Sequence, residues 1–172
     1  MGMMHNVTSR FNSSFFFGVT VIGILAAINF ATSFAVDHSF SASISNVNVT
    51  KFIKNSRYNW DEAELTFNLN GNFSDIFNWN VKLAFFYVEL EYNALERNQI
   101  TLWDKIIWRN QNTPINLNMI KEKGKYAVRT KKHNLKGATG TVKLKIEVTP
   151  IVGLIYKLES TPAFVRFPND YS

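Results

Sequence analysis

A chain of 172 residues with one apolar segment near its N-terminus has room for a membrane-proximal helix and a single domain of ordinary size. It has no cysteine, which excludes a disulfide framework and any cysteine-ligated metal site, so the domain must hold together by burial alone. The formal charge of +6 is local: residues 121–136, KEKGKYAVRTKKHNLK, carry seven Lys or Arg against one Glu, and the remainder is balanced. That pattern argues against a nucleic-acid-binding face; it describes a basic loop or hairpin, either solvated or turned toward an anionic surface such as lipid head groups.

Taken in chain order, residues 1–14 read as a cytosolic tail, residues 15–36 as a transmembrane signal anchor and residues 37–172 as a lumenal domain. No charge lies between Arg10 and Asp37, and the 22 residues from Phe15 to Val36 are almost all apolar. As a helix they span about 33 Å against about 30 Å of hydrocarbon, whereas a cleaved signal needs an apolar core of only about 7–15 residues. Ser33 and Ala35 nevertheless satisfy the small-x-small cleavage rule, so a cleaved signal with a soluble product is the alternative. If the anchor stands, its length keeps Ala35 out of a peptidase groove, and shortening it by several residues exposes that site.

Orientation follows from His5 and Arg10 before the run and Asp37 after it, which place the N-terminus in the cytosol. The sequons at Asn48 (NVT) and Asn72 (NFS) then lie in the lumen as candidate glycosylation sites, while those at Asn6 and Asn12 stay unmodified. Within the run, Gly23, Ala27, Ala31 and Ala35 recur every four residues as a groove of small side chains for another helix. Asn29 sits deep in it, where an amide is costly unless hydrogen-bonded.

Beyond Asp37 the pattern changes to alternation. Phe40–Ile44, Leu65–Leu69 and Val142–Val148 read as strands with one wet face; Val81–Tyr92 and Gln99–Trp108, apolar on both faces over part of their length, read as central strands. Further candidates are Tyr126–Thr130, Leu154–Glu159 and Ala163–Phe167, with a short helical turn in TPINLNMIKEKG, residues 113–124. Seven or eight short strands with Gly, Asn and Pro punctuation predict an antiparallel β-sandwich starting almost at the membrane.

No catalytic constellation stands out. His5, His38 and His133 form no metal motif; His38 beside Asp37 has neither a nucleophile elbow nor an oxyanion turn to complete a triad, and no serine is marked out for a Ser/Lys dyad. KGATG, residues 136–140, lacks the strand-to-helix setting of a phosphate loop and reads as a hairpin turn. Asp75 and Asp104 are isolated carboxylates suited to turns or lysine pairs. The residues by themselves describe a membrane-tethered lumenal sandwich with no cofactor and no small-molecule substrate.

DIFNWNVK (Asp75 to Lys82), VELEYN (Val88 to Asn93) and LWDKII (Leu102 to Ile107), followed by KGKY, NLKG, EVTPIVGLI and a closing FP (Phe167, Pro168), occur in that order over most of residues 40–168. In order and spacing they resemble the signal peptidase complex subunit 3 family of the eukaryotic microsomal signal peptidase. The resemblance implies a cytosolic tail, one membrane helix and a lumenal domain, with the serine nucleophile and its base on a different subunit. It further implies a scaffold in the endoplasmic reticulum membrane whose partners are that catalytic subunit, the small membrane subunits of the complex and the lipid bilayer. KGATGTV lacks the sequon that many animal members carry there, which leaves Asn48 and Asn72 as the glycan positions. Trp79, Trp103 and Trp108 are the candidate partner contacts, since aromatics dominate interface cores, with core filling the competing role for Trp79 and Trp103. A secreted or tethered adhesion or carbohydrate-binding sandwich and an autonomous serine hydrolase are the other function classes.

Overall fold

The computed structural model describes residues 6–33, 35, 40–93, 97–109, 115–131 and 135–172. Its first element, α1 (Val7–Ser33), starts about two turns ahead of Phe15. The carbonyl of Asn6 accepts the first amides, from Ser9 and Arg10, and the polar stretch Thr8–Ser14 holds no Pro or Gly that would interrupt the helix. Thr20 turns its hydroxyl back to the Phe16 carbonyl at 2.8 Å, so the middle of the helix presents apolar surface on all sides. The helix is long and apolar enough to cross a membrane, and the chain buries none of its residues. His5, the Asp37–His38 pair and His133 lie outside the described residues, as does Val36, the far side of the candidate cleavage site.

Nine strands follow among the described residues: β1 (Ser41–Asn55), β2 (Trp60–Asn72), β3 (Val81–Asn93), β4 (Arg97–Trp108), β5 (Asn116–Lys123), β6 (Val128–Lys131), β7 (Thr139–Pro150), β8 (Tyr156–Glu159) and β9 (Ala163–Arg166). In the first sheet, β1 flanks β2, and β5 and β6 share the other edge of β2; in the second, β4, β3 and β7 lie side by side, with β8 and β9 sharing the far edge of β7. Every pairing is antiparallel. Inward positions alternate as the pleat requires: Leu65, Phe67 and Leu69 of β2 face a core completed by Phe86, Val88 and Leu90 of β3 and by Leu144, Ile146 and Val148 of β7. The expected sandwich behind an apolar helix is therefore present.

Three local expectations are corrected. The stretch 113–124 supplies no helical turn among its described residues but β5, because Leu117 and Met119 alternate onto the core; a bulge opposite Phe67 and Leu69 admits Lys121 at φ 52°. Strand β4 is an edge strand and not a central one. It reads as doubly apolar because Ile106 and Trp108 on its outer side are left uncovered. KGATG joins β6 of one sheet to β7 of the other, so it is a crossover between layers and not a hairpin; Gly137 takes φ 66° there.

Antiparallel pairing collects several chain segments at the end of the sandwich nearest α1. Ser41 pairs with Asn72, Asn72 with Asn116, Leu83 with Trp108 and Val81 with Pro150. The start of β3 and the ends of β4 and β7 therefore share one rim, and the C-terminal turns of α1 pack against it.

Candidate functional site

The rim is organised by one side chain. Asn80, just before β3 and 2% exposed, exchanges two hydrogen bonds with the backbone of Val152: its Nδ2 donates to the Val152 carbonyl at 2.8 Å and its Oδ1 accepts the Val152 amide at 3.1 Å. The Asn80 amide is tied in turn to Asn78 Oδ1 at 2.9 Å, which holds the loop after the short 3-10 helix (Ser74–Ile76) in place. Oδ1 of Asn80 also accepts from Asn29 Nδ2 of α1 at 3.0 Å, and Asn29 Oδ1 accepts the Trp79 indole N–H at 3.0 Å. Both ends of the Asn29 amide are thus satisfied by the chain's own sandwich, in a relay that locks the helix to the strands.

Phe30 completes the junction. A Cβ on Gly153 would lie 2.6 Å from its ring, and Gly153 has φ 122°, so glycine is required there both for space and for backbone. Beside this contact lies a cavity of 390 Å³ lined by Phe30, Asn80, Val81, Pro150, Leu154 and Tyr156. Gly153→Ala is expected to cost about 2 kcal/mol by forcing a left-handed backbone on an L side chain and displacing Phe30, read as a lower thermal midpoint at unchanged sheet content.

The tryptophans separate. Trp103 is 4% exposed in the core, opposite Val88, and offers no surface to a partner. Trp79 and Trp108, 49% and 43% exposed, both stand on the rim. Trp108 and Ile106 continue across the outer face of the second sheet to Leu83 and Phe85, their cross-strand neighbours on β3. Farther along, that face is charged: Lys145 meets Glu89 at 2.6 Å and Lys157 meets Glu147 at 2.7 Å. The hydrogen bond to Glu89 raises the pKa of Lys145 above the ordinary lysine value against the cost of desolvation. The second sheet therefore presents an apolar patch at the rim end and an ion-paired ladder behind it.

Gly23, Ala27 and Ala31 are exposed on α1, with open space around Gly23 and Ala27 beside the loop that carries Val152 to Leu154. Asn48 is exposed on β1 next to a bulge, its amide hydrogen-bonded to the Asn46 carbonyl at 3.2 Å. Asn72 is exposed at the rim, accepting from both the amide and the hydroxyl of Ser74, its own sequon residue. Three of the seven cations of the basic segment are paired on the surface of the fold: Lys123 with Glu64, Lys125 with Asp104 and Arg129 with Glu62. The hydrogen bond from Lys123 holds the Glu64 carboxyl below its ordinary pKa. Sequence reasoning missed Asn80 and Gly153 because their roles depend on contacts across many residues; FNWN and PIVG flag only the motifs that contain them.

Among the described residues no group of three His, Asp or Glu could hold a metal ion. The buried Ser160 hydroxyl is committed to backbone, accepting the Leu144 amide at 3.0 Å and donating to the Thr161 carbonyl at 3.1 Å.

Residues 4–170 match the family described as signal peptidase subunit. The chain is 35% identical to signal peptidase complex subunit 3 of Caenorhabditis briggsae and 35% identical to that of Gallus gallus, each alignment covering 98% of this chain and 97% of the relative. It is 32% identical to the Drosophila melanogaster subunit 3, over 98% of both chains. With the match running through the helix, the FNWN loop that carries Asn80 and the PIVG turn that receives Phe30, the chain belongs to the signal peptidase complex subunit 3 family.

Proposed function

We propose that this chain is a non-catalytic subunit of the endoplasmic reticulum signal peptidase complex, anchored by α1 with its N-terminus cytosolic and its sandwich lumenal, that supports and positions the catalytic serine-peptidase subunit. The observation that carries the reading is the Asn29–Asn80–Val152 relay. A sandwich bolted to its own membrane helix stands at a fixed height and tilt above the bilayer, which is what a support for a membrane-bound active site needs. Cleavage after Ala35 would detach Asn29 and Phe30 from the rim, so the same relay favours a retained anchor over a secreted sandwich.

The surface offered to the catalytic subunit is the outer patch of the second sheet around Ile106 and Trp108, at the end of the edge strand β4. Trp108→Ala is expected to weaken co-purification of the catalytic subunit in mild detergent by about 30-fold, the effect of losing one aromatic anchor worth about 2 kcal/mol. A variant that folds normally and recovers the catalytic subunit at the wild-type level would remove this patch from the interface. The topology is tested through the glycans: Asn48→Gln is expected to abolish an endoglycosidase-sensitive gel shift, with Asn72→Gln changing it little because Asn72 lies at the membrane-facing rim. A shift that persists in the double variant would place the glycan on the N-terminal tail and reverse the orientation.

A further inference from the structure

The length of α1 that is free of the sandwich is too short for the bilayer. The apolar run starts at Phe15, after Asn12, Ser13 and Ser14, and the rim is already in contact at Asn29 and Phe30. Phe15 to Phe30 is 16 residues, about 24 Å of helix against about 30 Å of hydrocarbon, a shortfall of about 6 Å. Making it up on the N-terminal side would draw Asn12, Ser13 and Ser14 into hydrocarbon. On the other side stands a surface suited to immersion.

That surface is the loop between β7 and β8 together with Trp79. From Val148 to Tyr156 there is no charged residue, and Ile151, Leu154 and Ile155 are exposed, Leu154 at 78%. Leu154 and Val152 line one groove with Ala26, Ala27 and Phe30, so the loop lies alongside helix residues that belong to the apolar run. Part of its polar backbone is paired already: the amides of Ile151 and Val152 and the carbonyl of Val152 all bond to Asn80. Exposed aliphatic side chains are costly in water and favourable in lipid, and each backbone group already paired lowers the cost of immersing the loop. Trp79, half exposed with its indole N–H bonded to Asn29, has the amphipathic character of interfacial tryptophans. Lys82 and Arg109 are exposed next to it, with the Arg109 guanidinium donating to the Trp79 carbonyl, where lipid phosphates would meet them.

We infer that the β7–β8 loop, Ile151 to Ile155 with Trp79, is a second membrane-binding element that sinks into the acyl boundary of the leaflet beside α1 and supplies the missing apolar depth. Immersed amphipathic surfaces reach about 5–10 Å into that boundary, which matches the shortfall. The occupant of this face is lipid, because the face continues directly from the side of the membrane helix. The inference rests on the anchor part of the proposed function and is independent of any contact with a catalytic subunit.

The chain has no cysteine, so single-cysteine variants of the full chain carry one environment-sensitive fluorophore each. Leu154→Cys reports the loop, Ile22→Cys the mid-helix and Phe164→Cys on β9 the solvent-exposed sandwich. Each is reconstituted in phosphatidylcholine–phosphatidylethanolamine vesicles containing lipid with a quencher either near the head group or deep in the acyl chain. The expected result is loss of Leu154 emission mainly to the shallow quencher, loss of Ile22 emission mainly to the deep one, and no loss at Phe164. Quenching of Ile22 with Leu154 as unquenched as Phe164 would overturn the immersed loop and leave the anchor standing. No quenching at either Ile22 or Leu154 would overturn both.

Discussion

Replacing Asn80 with alanine is expected to destabilise the sandwich by about 3 kcal/mol and to release α1 from it. The estimate counts two groups of Val152, one donor and one acceptor, that lose their partner in a buried setting at about 1–3 kcal/mol each, tempered by what water recovers at the partly open rim. Asn29 loses a partner at the same time. Urea unfolding in detergent micelles should show a lower midpoint at unchanged slope. A double-mutant cycle with Asn29→Leu should return a coupling of about 1 kcal/mol, because the two substitutions break the same bond. Additive effects would mean that the helix and sandwich are not coupled through this pair, and the fixed-height argument for the scaffold would fall with them.

The second large effect is expected at the opposite end, from Asp61→Ala. Asp61 is fully buried near the start of β2, accepting the Tyr171 hydroxyl at 2.9 Å and the Leu135 amide at 3.2 Å. It thereby pins the approach to β7 and the tail after β9 against the first sheet. Its removal takes the acceptor from the buried Leu135 amide and from the Tyr171 hydroxyl, an expected cost of about 3–4 kcal/mol by thermal or chemical unfolding; Tyr171→Phe should cost about 1 kcal/mol. The pH dependence separates the two partners. Burial, and then the Asp61 carboxylate beside it, raise the pKa of Tyr171 above its ordinary value near 10. A tyrosine raised in the folded state contributes stability in full below the unfolded pKa, and that contribution is lost as the pH rises through the folded value. Stability should therefore decline above about pH 10, and Tyr171→Phe should make that alkaline decline shallower. An unchanged alkaline limb in the variant would show that Tyr171 titrates no differently in the folded and unfolded chains.

Apolar patterning places eight of the nine strands, by alternation where the sheet is half buried, as at Leu65–Leu69 and Val142–Val148, and by doubly apolar runs at Val81–Tyr92 and Gln99–Trp108. It fails at residues 116–123, where only Leu117 and Met119 face inward and the exposed Ile120 breaks the alternation. It also misjudges β4, because an apolar outer face looks the same in sequence whether or not another layer covers it. Trp103 and Trp108 lie five residues apart on a part of β4 whose register is unbroken, so the pleat alone puts them on opposite faces; that Trp108 stays exposed is decided by the uncovered outer side of the sheet.

What the sequence determined by itself was the division into an apolar helix and an alternating domain, the absence of covalent staples and the family, because these rest on composition, local period and the order of short motifs. Asn29 was visible only as a cost: an amide in an apolar run must be satisfied, but nothing local says by what. Only the tertiary structure decided that its partners are Asn80 and Trp79, some fifty residues away, and that Gly153 makes room for Phe30. The physical reason is that hydrogen-bond satisfaction and steric fit are properties of pairs brought together by strand register, and register across two sheets is set by the packing of the whole core rather than by any stretch of chain.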